Sequence, residues 1–301
     1  FTLRSGPNNL FSSLLAQDGY AFRQADVDLT SSPAKGIDGR IDVDSLVYNE
    51  IHLDSIRAVL TSVGGQLNYS VAVNNSPENT YPYHGYLRGV LYEHGLQTHA
   101  TILDNKGKTG LDLALQAAMK GHGIQLSITS PQSVLGYKSF AVNDSNYIYI
   151  GRDRRLSANL RLQAADGAGL LVSTEDADST SLQNVTVSMN HFELGKLFTV
   201  LPFTPNISGV LDGDYHIVQT ASDLTVSTDM TIKKLVYENC PMGDVGTQFV
   251  YMPKDGGSHY VDGIITQNGK EVGILSGTYH SEGAGSLDAT LEMDRFPLNY
   301  V

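Results

Sequence analysis

The chain has 301 residues and a formal net charge of -12, with 41% hydrophobic and only 17% charged residues. With 20 Lys and Arg against 32 Asp and Glu, it lacks the clustered cations that bind nucleic-acid phosphates or an anionic membrane surface. Its single cysteine, Cys240, excludes an intramolecular disulfide. The sequence contains no run of 18 or more apolar residues that would predict a transmembrane helix, and no segment of it has the pattern of a signal peptide.

The first half of the chain begins with one short helix and continues as strands. Apolar residues spaced along Leu10–Leu15 predict the helix, which Asp18-Gly19 ends. Short glycine-containing strands such as Tyr83–Leu91 then recur, and a hairpin turn is predicted at Asp104–Gly107. Alternation of apolar and polar residues predicts strands over 67–73, 96–102, 111–119, 124–128, 156–164 and 185–189, and the segment 147–150 is apolar on both faces.

A second helix interrupts the alternation before strands resume. Apolar residues along Phe192–Leu201 share one helical side, and Pro202 and Pro205 end the helix. Alternation returns over 211–217, 224–232, 245–251, 272–274 and 287–293, with turns predicted at 255–257, 268–269 and 282–285. Because these are hairpin-type turns, they favour antiparallel pairing.

Leu224–Ile232 is the most cleanly divided strand. Its apolar residues alternate with the polar residues Thr225, Ser227, Asp229 and Thr231. One face of the strand is therefore expected to contact water and the other to be shielded from it. We therefore predict an all-β fold with one or two short helices. The sheet is expected to be elongated, curled and antiparallel, an open solenoid-like groove with an apolar concave face. Residues 1–190 form a first run of strands and 191–301 a second, repeat-like unit continuous with it.

No residue pattern predicts catalysis, a metal site or a cofactor. Gly107-Lys108-Thr109 lacks the upstream glycine of a phosphate-binding loop, since Ile102 stands there. The nine histidines form no helical i, i+4 pair of the zinc-binding kind, and Cys240 has no recognisable histidine partner. We expect a protein that is not an enzyme, with no catalytic residues, no bound metal and no cofactor.

Three segments together resemble the repeated element of TamB/AsmA-like envelope proteins of diderm bacteria: Phe192–Phe198, Ile207–Ile217 and the amphipathic strand Leu224–Ile232. Tyr83–Leu91 is similar to it as well. The resemblance implies a protein anchored in the inner membrane that crosses the periplasm as an open sheet and guides phospholipid to the outer membrane. It also implies an Omp85-type outer-membrane barrel as partner.

The chain itself is interpreted as an internal section of such a protein. It begins with Phe1 rather than Met, and Phe296–Val301 resembles the start of a further repeat unit. The resemblance then implies that an inner-membrane anchor lies in a segment absent here. Phospholipid acyl chains are the expected ligands, and nucleic acid is not an expected partner.

The expected groove lining consists of apolar residues on the alternating strands of the second unit: Leu211, Tyr215, Ile217, Leu224, Val226, Met230, Ile232, Leu287, Ala289 and Leu291. A secreted or surface β-sandwich or solenoid module that binds glycan or protein is the alternative, and it requires a closed, dry core. A polysaccharide-active β-solenoid enzyme would require a carboxylate cluster in a cleft.

Overall fold

The computed structural model describes residues 1–48, 51–153, 155–175, 181–201, 204–254, 257–280 and 285–294. Over these ranges the chain forms 22 strands and two short helices, and every described strand pairing within each unit is antiparallel. The predicted all-β class, with antiparallel strands and two short helices, is confirmed. The predicted turns at 255–257 and 282–285 fall largely outside the described residues, as does the predicted restart at Phe296.

The chain divides into two units, which we describe separately. The first comprises Phe1–Ser139 with Val200–Phe203, and the second comprises Phe140–Thr199 with Thr204–Val301. The division at 139/140 falls inside one strand, Lys138–Val142. The position predicted for the boundary between repeat units, 190/191, lies within the second unit.

The first unit is a meander in which chain neighbours pair. Its helix α1 spans Leu10–Gln17, as predicted. Strands β3 to β9 lie side by side in chain order, with β1 beside β3 and β2 beside β4. Both β10 and β11 lie beside β9. The strands are β1 Thr2–Ser5, β2 Tyr20–Ala21, β3 Gln24–Ser32, β4 Gly36–Tyr48, β5 Ile51–Val63, β6 Gln66–Asn74, β7 Tyr83–Tyr92, β8 Gly95–Asp104, β9 Thr109–Lys120, β10 Gly123–Ile128 and β11 Gln132–Leu135.

Local sequence explains both the helix and the hairpins of this unit. Asn9 caps α1: its side-chain oxygen accepts the Ser12 N–H at 3.0 Å, and the Ser12 hydroxyl accepts the Asn9 N–H at 2.9 Å. Gly64 and Gly65 join β5 to β6 with φ values of 60° and 79°. Two successive positive φ angles suit the tight hairpin turn that matches strand twist.

The second unit continues the same plan. Strands β12 and β13 both lie beside β14, and from β14 to β22 each strand pairs with the next along the chain. The elements are β12 Lys138–Val142, β13 Tyr147–Gly151, β14 Leu156–Gln163, β15 Gly169–Glu175, β16 Ser181–Glu193, α2 Leu194–Val200, β17 Ile207–Thr220, β18 Leu224–Tyr237, β19 Cys240–Pro253, β20 Ser258–Gln267, β21 Lys270–His280 and β22 Ser286–Met293.

The second helix starts later than the sequence predicts. Phe192 and Glu193 belong to β16, where they pair with Leu211 and Val210 of β17, and α2 begins only at Leu194. A register shift between Met189 and Phe192 accompanies His191, whose φ is 51°. This bulge changes the direction of the strand. The residues that were predicted to form the first helical turn therefore pair with β17 in the sheet.

A continuous apolar face as candidate binding surface

Cross-strand register assembles an apolar face in the second unit. Residues directly opposite one another in an antiparallel pair project to the same side of a sheet. Ile217 of β17 lies opposite Val226 of β18, which lies opposite Tyr251 of β19. Through β20 and β21 the same row continues to Ala289 of β22. With strand alternation, the pairing places the whole predicted lining on this one face: Leu211, Tyr215, Ile217, Leu224, Val226, Met230, Ile232, Leu287, Ala289 and Leu291.

The opposite face is polar on β18 and β22, whereas β20 and β21 place Ile264 and Ile274 on it. On β18 it carries Thr225, Ser227, Asp229 and Thr231, and on β22 it carries Asp288 and other polar residues. Val226 and Thr225 are therefore chain neighbours that face opposite sides. The pair offers a matched test of what each face does.

Solvent exposure along the apolar face is uneven. On β14, Ala158, Leu160 and Leu162 are only 2%, 8% and 3% exposed. Leu211 is also buried, whereas the predicted lining residues on β18 are half-buried. On β22, Leu287 and Leu291 are 60% and 55% exposed. Val261 of β20, in the same row, is 5% exposed. The apolar face over β18–β22 is therefore open at β18 and β22 and buried at Val261.

The first unit has an apolar face of the same kind. One row across the sheet joins Ala58, Val71, Leu87, Ala100 and Leu113. The neighbouring row joins Ile56, Val73, Gly85, Ile102 and Leu111. These residues are half-buried or exposed, and Leu87 is 38% exposed. None of them was among the predicted lining residues, which all lie in the second unit.

The polar face of the first unit carries ion-paired side chains, whereas Asp104, opposite Tyr83 at the end of β8, lies on the apolar side. Asp42 lies 3.5 Å from the Arg57 guanidinium and is also paired with Arg40. His99 Nε2 lies 3.0 Å from Asp112 Oδ1. Because alternation places such groups opposite the apolar rows, the sheet separates charge from hydrocarbon across its own thickness.

An apolar pocket of about 320 Å³ lies in the apolar face of the first unit. Hydrocarbon side chains from four strands form most of its wall: Leu53, Val71, Val73, Leu87, Ala100 and Ile102. Gly85 lies between Val73 and Ile102 in register. A Cβ atom built on Gly85 would meet only Val73, at 3.9 Å, so the missing side chain leaves the hollow. We call this site the Gly85 pocket.

The loop between β6 and β7 supplies Tyr81 to the Gly85 pocket and is held by side-chain hydrogen bonds. Asn75, only 2% exposed, accepts the Asp54 N–H at 2.9 Å and donates to the Tyr81 carbonyl at 2.8 Å. The Asp54 carboxylate accepts the Ser76 N–H at 2.6 Å. Tyr81 in turn donates its hydroxyl at 2.5 Å to the carbonyl of Val200, the last residue of α2, which belongs to the first unit. These hydrogen bonds therefore hold Tyr81 at the pocket wall.

Two pKa shifts reflect this arrangement. Burial, with a smaller contribution from the neighbouring Tyr83, raises the pKa of the Tyr81 phenol well above its ordinary value. The hydrogen bond from the Ser76 backbone N–H lowers the pKa of the Asp54 carboxyl, opposed by desolvation. Tyr81 therefore stays neutral beside the pocket, while Asp54 stays ionised where it anchors the loop.

Over the described ranges, no group of three or more His, Cys, Asp or Glu is placed to hold a metal ion. Cys240 is a half-buried free thiol at the start of β19. Within the same ranges, neither helix is long and apolar enough to cross a membrane.

Comparison with known proteins gives no relative from which a function could be transferred. No protein-family model, no curated protein and no solved structure significantly matches the chain.

Proposed function

We propose that the chain is a non-enzymatic segment of a lipid conduit in the bacterial envelope, whose apolar sheet faces hold phospholipid acyl chains in transit. One observation carries the proposal: in each unit, register aligns apolar residues into a face that spans many strands, and much of that face is left half-buried or exposed. A soluble monomer rarely exposes an apolar patch of more than a few hundred Å² without a binding role.

The chemistry of the face suits hydrocarbon. Burial contributes about 0.8 kcal/mol for each CH2 group of an acyl chain, without any directional contact. A lining such as Ile217, Val226 and Met230 supplies that contribution evenly along the sheet. A ligand bound in this way can slide from one row to the next, because each new contact replaces an equivalent one.

The separation of charge supports the same role. Charged side chains such as Asp42, Arg57 and Asp112 lie on the opposite face, so a zwitterionic or anionic headgroup has no charged partner among the apolar rows. Headgroups would remain in water while tails lie on the sheet. The periplasmic location, the inner-membrane anchor and the Omp85-type partner belong to the proposal through the resemblance to TamB/AsmA-like proteins.

The test compares charge on the two faces of β18. Val226→Lys places an ammonium group between Ile217 and Tyr251, whereas Thr225→Lys places it on the polar face opposite Val218. The assay is photo-crosslinking with a phosphatidylethanolamine that carries a diazirine in one tail, quantified by intact-protein mass.

We expect Val226→Lys to reduce the lipid adduct severalfold and Thr225→Lys to leave it near the wild-type yield. Ile232→Lys, on the same face opposite Leu211, should behave like Val226→Lys. Circular dichroism and thermal unfolding of each variant provide the folding control. Equal adduct yields for Val226→Lys and Thr225→Lys would refute the assignment of the lipid to the apolar face.

A further inference from the structure

The apolar face is not uniform, and the Gly85 pocket is a hollow in the apolar face of the first unit. Resting on the proposed function, we infer that this pocket is a discrete, length-limited binding site for one straight, uncharged hydrocarbon segment of about twelve carbons. The site holds the segment in place, while the rest of the face only lets acyl chains pass.

The lining defines the ligand class. Val71, Val73, Leu87, Ala100 and Ile102 present only hydrocarbon. No charged residue lines the pocket, so an ionised ligand group would lose its hydration there without a compensating partner.

The polar residues that border the pocket already have partners. The Tyr81 hydroxyl donates to the Val200 carbonyl at 2.5 Å, and the Tyr86 hydroxyl donates to Asn74 Oδ1 at 3.3 Å. Thr101 donates to Asp112 at 3.4 Å. The pocket therefore selects for hydrocarbon and against headgroups.

The pocket is partly open to solvent, and its volume gives the number of carbons that it can cover. An engineered apolar cavity of about 150 Å³ binds a six-carbon benzene ring. By proportion, the Gly85 pocket, at about 320 Å³, takes about twelve carbons. Affinity should therefore rise by about fourfold for each added methylene until the pocket is full, and much less beyond that length.

Gly85 provides a way to shorten the pocket. Its φ lies outside the left-handed region, and a Cβ atom there would be in ordinary contact with Val73 at 3.9 Å. Valine is a good strand residue, so Gly85→Val fits the backbone and fills the space of about three methylenes. Gly6 is the matched control, because a Cβ atom there meets nothing within 4 Å and the residue lies outside the pocket.

The experiment measures Kd by isothermal titration calorimetry for saturated lysophosphatidylcholines with chains of about 8 to 16 carbons, below micelle formation. For the wild-type chain and Gly6→Val, we expect Kd to fall about fourfold per methylene up to about twelve carbons and then level off. For Gly85→Val, levelling should occur at about nine carbons. Gly85→Ala, expected to shift the limit by about one carbon, serves if circular dichroism shows that the valine variant does not fold.

Each other outcome is informative. A steady gain through the longest chain, or the same limit in wild type and Gly85→Val, overturns the length-limited site while leaving acyl binding by the face intact. If no lysophosphatidylcholine of any chain length bound, the proposed function would be refuted as well.

Discussion

Asn75 joins the Gly85 pocket to the stability of the first unit, and its replacement gives a quantitative test. The side chain is 2% exposed and makes two hydrogen bonds, accepting from the Asp54 N–H and donating to the Tyr81 carbonyl. Asn75→Ala removes both bonds and leaves the Asp54 N–H without this partner, while the Tyr81 carbonyl still accepts the Tyr83 N–H at 2.8 Å. A lost hydrogen bond costs about 1 kcal/mol and an orphaned buried group about 1–3 kcal/mol. We therefore expect the free energy of unfolding to fall by about 2–4 kcal/mol.

Urea denaturation followed by circular dichroism measures this loss. With a slope of about 2–3 kcal/mol per M, the midpoint should fall by about 1 M while the slope itself stays unchanged. Asn68→Ala is the matched control, because its amide makes one long hydrogen bond, 3.4 Å, to the Thr61 carbonyl. We expect that control to cost less than about 0.5 kcal/mol. If Asn75→Ala were no more destabilising than Asn68→Ala, the proposed anchoring of the loop would be wrong.

Two further predictions follow from the same unit. Because the pKa of Asp54 is lower in the fold than in the unfolded chain, its contribution is present above about pH 4 and is lost as pH falls through the folded-state value. Acid titration of the unfolding free energy should therefore show a steeper loss for wild type than for Asp54→Asn, and parallel curves would contradict this. Gly89→Val should lower the urea midpoint by the equivalent of about 1–3 kcal/mol, because a Cβ atom there would lie 2.1 Å from the Gln97 carbonyl oxygen. Gly85→Val, without such a clash, should leave the midpoint close to that of wild type.

Sequence alone predicts the all-β class and the amphipathic strands where the period of two is unbroken. Leu224–Ile232 is the clearest case, and β18 contains it in full. Strand β5 was not predicted, because its apolar residues change phase between Leu53 and Ile56. Strand β20 was also missed, since Gly263 interrupts its alternation just before two adjacent isoleucines.

The Gly85 pocket could not be predicted from local pattern. Its walls come from residues that strand register brings together, with Val73, Gly85 and Ile102 opposite one another on three strands. Register over several strands is not encoded in the alternation of any one of them. The one available signal was a glycine at an apolar position of Tyr83–Leu91, which indicates a missing side chain but not which residues surround the gap.

Sequential pairing has a consequence for how such a chain can change length. From β4 to β8, each strand hydrogen-bonds to the strands before and after it along the chain. Inserting or deleting one complete hairpin would therefore preserve strand direction and keep later residues on their original faces. A single extra strand would reverse the direction of everything that follows. Because ordering of this kind depends only on nearest neighbours, we expect such sheets to grow and shrink in steps of two strands.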